Sequence, residues 1–254
     1  MAKNNNKAIR YSIYAAALVY LVGLVVYLPA RLLVAFAPLP EHVQLSGVSG
    51  TVWNGRIDRV QFDTRALEQV EWQVFPLALF AAQVVADVQI IATTANPISG
   101  TARVQTGFFG GTKIENARLN GELGTLGAWL NIPDLVPLSG DVVLGVTEYE
   151  LGQPVCSVLN ARAGAYDVKT RIGQQWYELG DFGLQLGCQE GLASVLIEPD
   201  NSLGLSVNGN FAPGNVDLAV AIKPSNATPA PLRELLRMVG EPDVNGQFNF
   251  RFRL

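Results

Sequence analysis

Two hydrophobic rhythms divide this chain. From Tyr11 to Leu28 it runs 18 residues without a charge; wound as a helix, such a run reaches about 27 Å, close to the hydrocarbon thickness of a bilayer. Beyond residue 43 the rhythm changes to period two. Phe248, Phe250, Phe252 and Leu254 alternate with Gln247, Asn249, Arg251 and Arg253, the pattern of a strand with one apolar and one solvated face. Val216, Leu218, Val220 and Ile222 read the same way, as do Phe182, Leu184, Leu186 and Cys188, with Val70, Trp72 and Val74 as a shorter case. Asn54-Gly55 predicts a two-residue hairpin turn, because both turn positions need positive φ. An apolar residue followed by Ser or Asn and then Gly recurs at Leu45-Ser46-Gly47, Ile98-Ser99-Gly100, Leu119-Asn120-Gly121, Leu138-Ser139-Gly140, Val207-Asn208-Gly209 and Val244-Asn245-Gly246. A strand-like run follows each, which fits an antiparallel meander with bulges where the sheet coils. Two short helices are expected: Pro231–Val239, started by Thr228 and Pro229 and ended by Gly240, and a second over Leu126 to Leu130.

These elements give a mostly β chain behind a single N-terminal transmembrane helix. The expected division is a cytoplasmic tail over 1–10, a transmembrane helix over 11–28, a stiff Pro-rich connector over 29–43 (Pro29, Pro38, Pro40) and a β domain over 44–254. A subdivision is possible near 131–138, where Pro133 and Pro137 interrupt the pattern. Lys3, Lys7 and Arg10 precede the apolar run and the first acidic residue is Glu41, so the positive-inside rule leaves the N-terminus in the cytoplasm and exports the rest. Tyr11 and Tyr27 stand at the two ends of the run, where aromatic rings favour the water–lipid boundary. A cleaved signal peptide is the competing reading. Its apolar region would be shorter, and the A-x-A-like site at Ala35-Phe36-Ala37 lies well past the run.

Charge and cysteine usage sharpen the picture. Of 18 basic and 22 acidic residues, three basic and no acidic ones precede the apolar run, leaving 15 against 22 for the exported part. An acidic domain repels phosphate backbones, so nucleic acid is not an expected partner. Cys156 and Cys188 would meet an oxidising compartment, which favours a disulfide over two buried thiols; with no C-x-x-C spacing the pair reads as structural.

Catalytic chemistry is not legible. The lone histidine, His42, reads as a solvated surface residue, since metal sites and acid–base dyads need converging groups. Gly47-Val48-Ser49-Gly50 misses the nucleophile-elbow pattern by one position. Gly121, Gly124 and Gly127 match no phosphate-binding loop. Glu148, Glu150, Glu178 and Asp181 read as the solvated faces of strands. No cofactor, metal or catalytic residue is expected; a carboxylate-only glycosidase stays open on sequence grounds alone.

The segment Ser49-Gly50-Thr51-Val52-Trp53-Asn54-Gly55-Arg56 resembles the G-T-x-W-x-G signature of the type II secretion system protein N family. Glu71-Trp72-Gln73-Val74-Phe75-Pro76-Leu77-Ala78-Leu79 resembles its W-x-x-x-P-L-x-L segment. Cys156, Gln175-Trp176-Tyr177-Glu178-Leu179-Gly180 and Leu186-Gly187-Cys188-Gln189-Glu190-Gly191 follow its cysteine–tryptophan–cysteine layout. The Leu232–Gly240 helix, Pro242-Asp243 and Gly246 before a last strand complete the likeness. The resemblance implies an accessory inner-membrane subunit of the general secretory machinery. It would be single-pass, with its main domain in the periplasm, working by contact with other secretion subunits and not as an enzyme. It also implies a distant kinship with AsmA-like proteins, whose coiled antiparallel sheets present an apolar groove; lipid or hydrophobe binding is therefore the alternative function. Trp53, Asn54, Gly55, Trp72 and Pro76 are the signature positions, serving either partner docking or the packing of the first hairpin, and Trp176 is expected near the Cys156–Cys188 bridge.

Overall fold

The structure, a computed structural model, describes residues 5–36, 43–63, 65–129, 137–226 and 228–253, without the side chains of 5–10, 33, 36 and 239. Helix α1 (Asn5–Val26) is followed by α2 (Ala30–Phe36). Then come β1 (Val43–Ser46), β2 (Ser49–Gly50), β3 (Asn54–Phe62), β4 (Arg65–Val74), a short 3-10 helix (Pro76–Ala81), β5 (Gln83–Ile90), β6 (Ile98–Gly107) and β7 (Thr112–Glu122). After α3 (Leu123–Trp129) come β8 (Leu138–Leu151), β9 (Cys156–Ile172), β10 (Gln175–Gln189), β11 (Leu192–Ile197), β12 (Leu205–Ala212) and β13 (Asn215–Ile222). The chain closes with α4 (Ala230–Val239) and β14 (Phe248–Arg253).

All the strands belong to one 14-stranded sheet. Apart from β2, which pairs with β3 alongside β1, spatial order follows sequence order from β1 to β14 and every pairing is antiparallel. Consecutive strands form a meander, most joined by short turns, with α3 inserted before β8 and α4 before β14. The same sheet continues on both sides of residues 130–136, since β7 pairs with β8.

Cross-strand register sorts the side chains. Val142, Leu144 and Val146 of β8 lie opposite Ala165, Ala163 and Ala161 of β9, which lie opposite Phe182, Leu184 and Leu186 of β10. Farther along, Leu218, Val220 and Ile222 of β13 face Phe252, Phe250 and Phe248 of β14. One face is therefore apolar from strand to strand, and aromatic–aliphatic pairs of this kind stabilise a sheet by about 0.2–1 kcal/mol each. The opposite face carries Asp87, Arg103, Lys113, Glu148 and Arg162. Most of the apolar face is only half-buried. Among the described residues just ten apolar side chains are fully buried, and the surface totals 16903 Å². A compact globule of 27.3 kDa would expose about 11,000 Å².

Several readings are corrected. The first hairpin exists, but its turn is Val52-Trp53: the Thr51 amide donates to the Asn54 carbonyl at 2.8 Å, while Asn54 and Gly55 belong to β3. Neither has positive φ. Seven residues of the Pro-rich connector form α2, and Pro38, Pro40, Glu41 and His42 lie outside the described residues, as does Pro133. The second short helix begins three residues earlier than expected, at Leu123, and Leu130 lies outside the description. Gly240 ends α4 as expected, its amide donating to the Leu236 carbonyl, in extended backbone with φ −176°. Of the recurring glycines, Gly140 sits at positive φ where the β8–β9 register shifts, as a bulge requires.

α1 begins before Tyr11 and stops at Val26, so Tyr27 and Leu28 lie beyond it. Among the described residues no helix is long and apolar enough to cross a membrane. The described side chains of α1, from Tyr11 to Val26, carry no charge and are exposed apart from Gly23. Lys3 lies outside the description, and of Lys7 and Arg10 only the helical backbone is described.

Candidate functional site

The junction between α1 and the sheet brings the signature residues together. A helix leaves its last carbonyls without intrahelical partners. Here the deficit is built into the sequence, because the residue four beyond Val25 is Pro29, which has no amide hydrogen. The Leu28 amide reaches the Val25 carbonyl oxygen at 3.3 Å, and the indole Nε1 of Trp53 adds a second, shorter bond at 2.9 Å. The Val52 amide donates to the Leu28 carbonyl at 2.9 Å, and Pro29 bridges to Thr51. The hairpin tip is thus fastened to the end of the helix at three successive positions.

Trp72 holds the hairpin from the other side. Its Nε1 donates to the Val52 carbonyl at 3.0 Å, and its ring lies on Gly55, where a Cβ would fall 2.0 Å from Cζ2. Gly55 is therefore required for close approach and not for an unusual φ. Asn54 donates through its amide to the Thr51 hydroxyl. Pro76 opens the 3-10 helix, preceded by Phe75, whose amide donates to Val85 and whose ring lies 5.4 Å under the Arg103 guanidinium. Trp53, Asn54, Gly55, Trp72 and Pro76 thus share one end of the sheet. Sequence reading missed the tie to α1, although Pro29 four residues after Val25 is its signal.

The disulfide is present, with Cys156 and Cys188 bridged and their Cα atoms 6.1 Å apart. It clasps the open ends of the two longest strands, β9 and β10. The Gly191 carbonyl accepts from the Val155 and Cys156 amides at the same place. Trp176 is not there. It lies 12 positions back along β10, roughly 40 Å at strand rise, beside the β9–β10 turn, with Arg171 5.7 Å over its ring.

Charge pairs cover the polar face. Arg103 grips Asp87 through two bonds of 2.7 and 2.8 Å, and this holds the Asp87 carboxyl below its usual range. Lys113 lies 2.6 Å from Glu148 and 2.9 Å from Glu115, whose hydrogen bonds raise its pKa, with Glu150 3.8 Å away. Arg251 binds Asp217 in the same two-pronged way and lowers its pKa. Burial raises the Glu122 pKa, but hydrogen bonds from Thr125 and Gly124 outweigh it and the net shift is downward. Glu178 pairs with Lys169, and Asp181 accepts from the Asp167 amide. Most of these carboxylates are engaged in pairs across or along strands and Glu122 in a local cap, the geometry of a solvated sheet face. Two shallow grooves of about 770 and 900 Å³ run along this face, one beside Arg56, Glu71, Asp87 and Arg103, the other beside Arg118, Asn160 and Arg162. Among the described residues no three His, Cys, Asp or Glu side chains are placed to hold a metal ion.

What the arrangement offers is surface. β1 and β14 end the strand order, so each has one edge without a strand partner among the described residues. Between them the register sets the small side chains of Ala161, Ala163 and Ala165 of β9 in a row between the larger ones of β8 and β10 on the apolar face, the floor of a trough if those larger side chains do not close over it.

Comparison with known proteins agrees with this arrangement. The sequence profile described as Type II secretion system (T2SS), protein N, matches residues 41–251. A type II secretion system protein N of Vibrio cholerae serotype O1 is 26% identical over 236 residues, covering 91% of this chain and 92% of the relative. Proteins of the same name from Aeromonas hydrophila and Pectobacterium carotovorum subsp. carotovorum are each 28% identical over 247 residues, covering 92% and 94% of this chain and 93% and 95% of theirs. No solved structure matches significantly. With its signature tryptophans gathered at one end of a meander and the matching profile spanning nearly the whole sheet, the chain belongs to the type II secretion system protein N family.

Proposed function

We propose that this protein is an accessory subunit of the type II secretion machinery, held in the inner membrane by α1 and working in the periplasm as a docking sheet. The observation that carries the docking role is the open meander, in which β1 and β14 each leave a main-chain edge unpaired. Strand addition to such an edge supplies backbone hydrogen bonds to a partner, with alternate side chains giving specificity. The family supports the setting. The anchor is supported by the uncharged side chains of α1, whose large apolar members are about half or more exposed. The cysteine bridge fits an oxidising compartment.

Photo-crosslinking in cells from Gln44 on β1 and Asn249 on β14 tests the docking role. The expected result is covalent adducts with other secretion subunits. Adducts at neither strand, in cells that secrete normally, refute it. Accessibility labelling of a C-terminal tag tests the topology, since a tag reached only from the cytoplasm overturns the orientation.

The alanine row on the apolar face favours a second reading, in which it floors a trough that binds a lipid or another slender hydrophobe. Native mass spectrometry of the detergent-extracted protein checks it: a bound lipid is the expected mass, and a bare chain removes the idea.

A further inference from the structure

The end of the sheet fastened to α1 also carries a set of exposed apolar tips. The 3-10 helix between β4 and β5 presents Leu77 and Phe80, the latter 91% exposed, and the β6–β7 turn presents Phe108 and Phe109, the latter 97% exposed. The two loops are joined, since the Phe108 amide donates to the Ala82 carbonyl at 3.0 Å. Leu151, exposed at the end of β8, continues the row. The first hairpin, bound to the Val25 and Leu28 carbonyls, lies at the same end, because Trp53 accepts from the Val74 amide just before the 3-10 helix. At about 4.8 Å per strand, the tips lie roughly 5–20 Å from the point where the chain leaves α1. Neither Pro76–Ala82 nor Gly107–Thr112 contains a charged residue. The opposite end of the sheet has polar turns at Asp63, Gly173-Gln174 and Asp200-Asn201, and its exposed apolar side chains, Phe62, Leu138, Trp176, Met238 and Val244, are scattered among them and beside α4.

We infer that Leu77, Phe80, Phe108 and Phe109 form a membrane-seating rim that beds into the interfacial layer of the bilayer in which α1 is anchored. The inference rests on the anchor reading proposed above. α1 projects from the sheet with its sides exposed, so placing it in a bilayer brings this end of the sheet down to the headgroups. Phenylalanine and leucine tips without neighbouring charge lose little on entering that layer and remove apolar area from water. The rim gives the domain a second contact beside its tether and so fixes its tilt, holding the β1 and β14 edges at a set height above the membrane.

Four single-cysteine variants of the full chain test this, since both native cysteines are paired. Phe80→Cys and Phe109→Cys report the rim, Gln174→Cys the opposite turn, and Val19→Cys the anchor. Each is labelled with a nitrobenzoxadiazole fluorophore and reconstituted into vesicles without nitroxide lipids or with nitroxides carried both near the headgroup and midway along the acyl chain. The expected result is that the labels at 19, 80 and 109 lose most of their emission to the nitroxide while the label at 174 keeps its own. Quenching at 19 without quenching at 80 and 109 overturns the rim, leaves the anchor standing and assigns these tips to a protein partner. No quenching at 19 overturns the anchor and the rim with it.

Discussion

Replacing Cys156 and Cys188 together by alanine removes the clasp on the longest hairpin, and its cost can be worked from the geometry. The cysteines are 32 residues apart in sequence. Closing a loop of that length costs the unfolded chain about 12–13 cal/mol/K in the chain-entropy treatment, which is about 4 kcal/mol at room temperature. In the native state the strands stay paired without the bridge, because β9 and β10 pair from Ala161–Leu186 to Ile172–Gln175, interrupted only by the bulges between Glu178 and Phe182. The loss is therefore expected to act through the unfolded chain and not through a collapsed hairpin. With an m-value of about 2–3 kcal/mol/M in urea, the midpoint should fall by roughly 1–2 M. The assay is urea unfolding of the full chain in detergent, followed by tryptophan emission, for the wild type with and without reductant and for the double variant. Reduced wild type and double variant should coincide. An unchanged midpoint with an unchanged slope refutes the reasoning, because it means the unfolded chain gains no freedom when the bridge is cut.

Trp53→Phe keeps the ring but removes the donor to Val25, a net loss of about 0.5–1.5 kcal/mol; limited proteolysis between Leu28 and Gly50 should accelerate while the unfolding of the rest of the sheet is unmoved. Gly55→Ala puts a methyl where Trp72 lies, 2.0 Å from Cζ2, and should cost about 1–3 kcal/mol with a red shift of Trp72 emission; an unaltered spectrum contradicts the close approach. Asp87, Asp217 and Asp243 all have lowered pKa values, the first two chiefly through Arg103 and Arg251 and the third through the Gln247 and Asn245 amides. Their charged forms are favoured by folding, so their stabilisation is present above the unfolded carboxyl value near pH 4 and is lost as pH falls through the lower folded values. The urea midpoint should stay level from about pH 7 to about pH 5 and drop below about pH 4, and Arg103→Met should remove the share carried by Asp87.

The strands were legible because one face of the sheet is apolar and the other solvated. Phe248, Phe250 and Phe252 announce β14 by alternation alone, and Phe182 to Cys188 correctly set Cys188 on the apolar side of β10. The turn at Val52-Trp53 was not legible, because no local preference of those two residues makes it: tertiary bonds to Val25 and Leu28 hold it, while Asn54-Gly55 offered a stronger local signal one step later. Gly55 illustrates the ambiguity of glycine, needed here for the ring of Trp72 above it. Trp176 was misplaced because adjacency in a motif was read as adjacency in space, whereas a long strand carries it to the far end. The bulges at Asn116 and Asp167, polar residues at positive φ within strands, leave no mark in hydrophobic periodicity.

The two functional readings make opposite demands on Ala163. It lies between Leu144 of β8 and Leu184 of β10 on the apolar face, so Ala163→Leu fills the trough floor and does not reach either edge. If the trough is vacant in the isolated protein, the added methylenes bury themselves against those leucines and stabilise the sheet by about 1–2 kcal/mol. If the sheet's curvature already closes the trough on its own side chains, overpacking destabilises it by about 1–3 kcal/mol. The sign of the urea-midpoint shift therefore reports whether there is room for a hydrophobe. Loss of co-purifying lipid from Ala163→Leu, with crosslinks from Asn249 retained, would separate a lipid-holding face from a partner-holding edge. A destabilised variant whose lipid content never differed from wild type would refute the trough and leave the edges as the working surface.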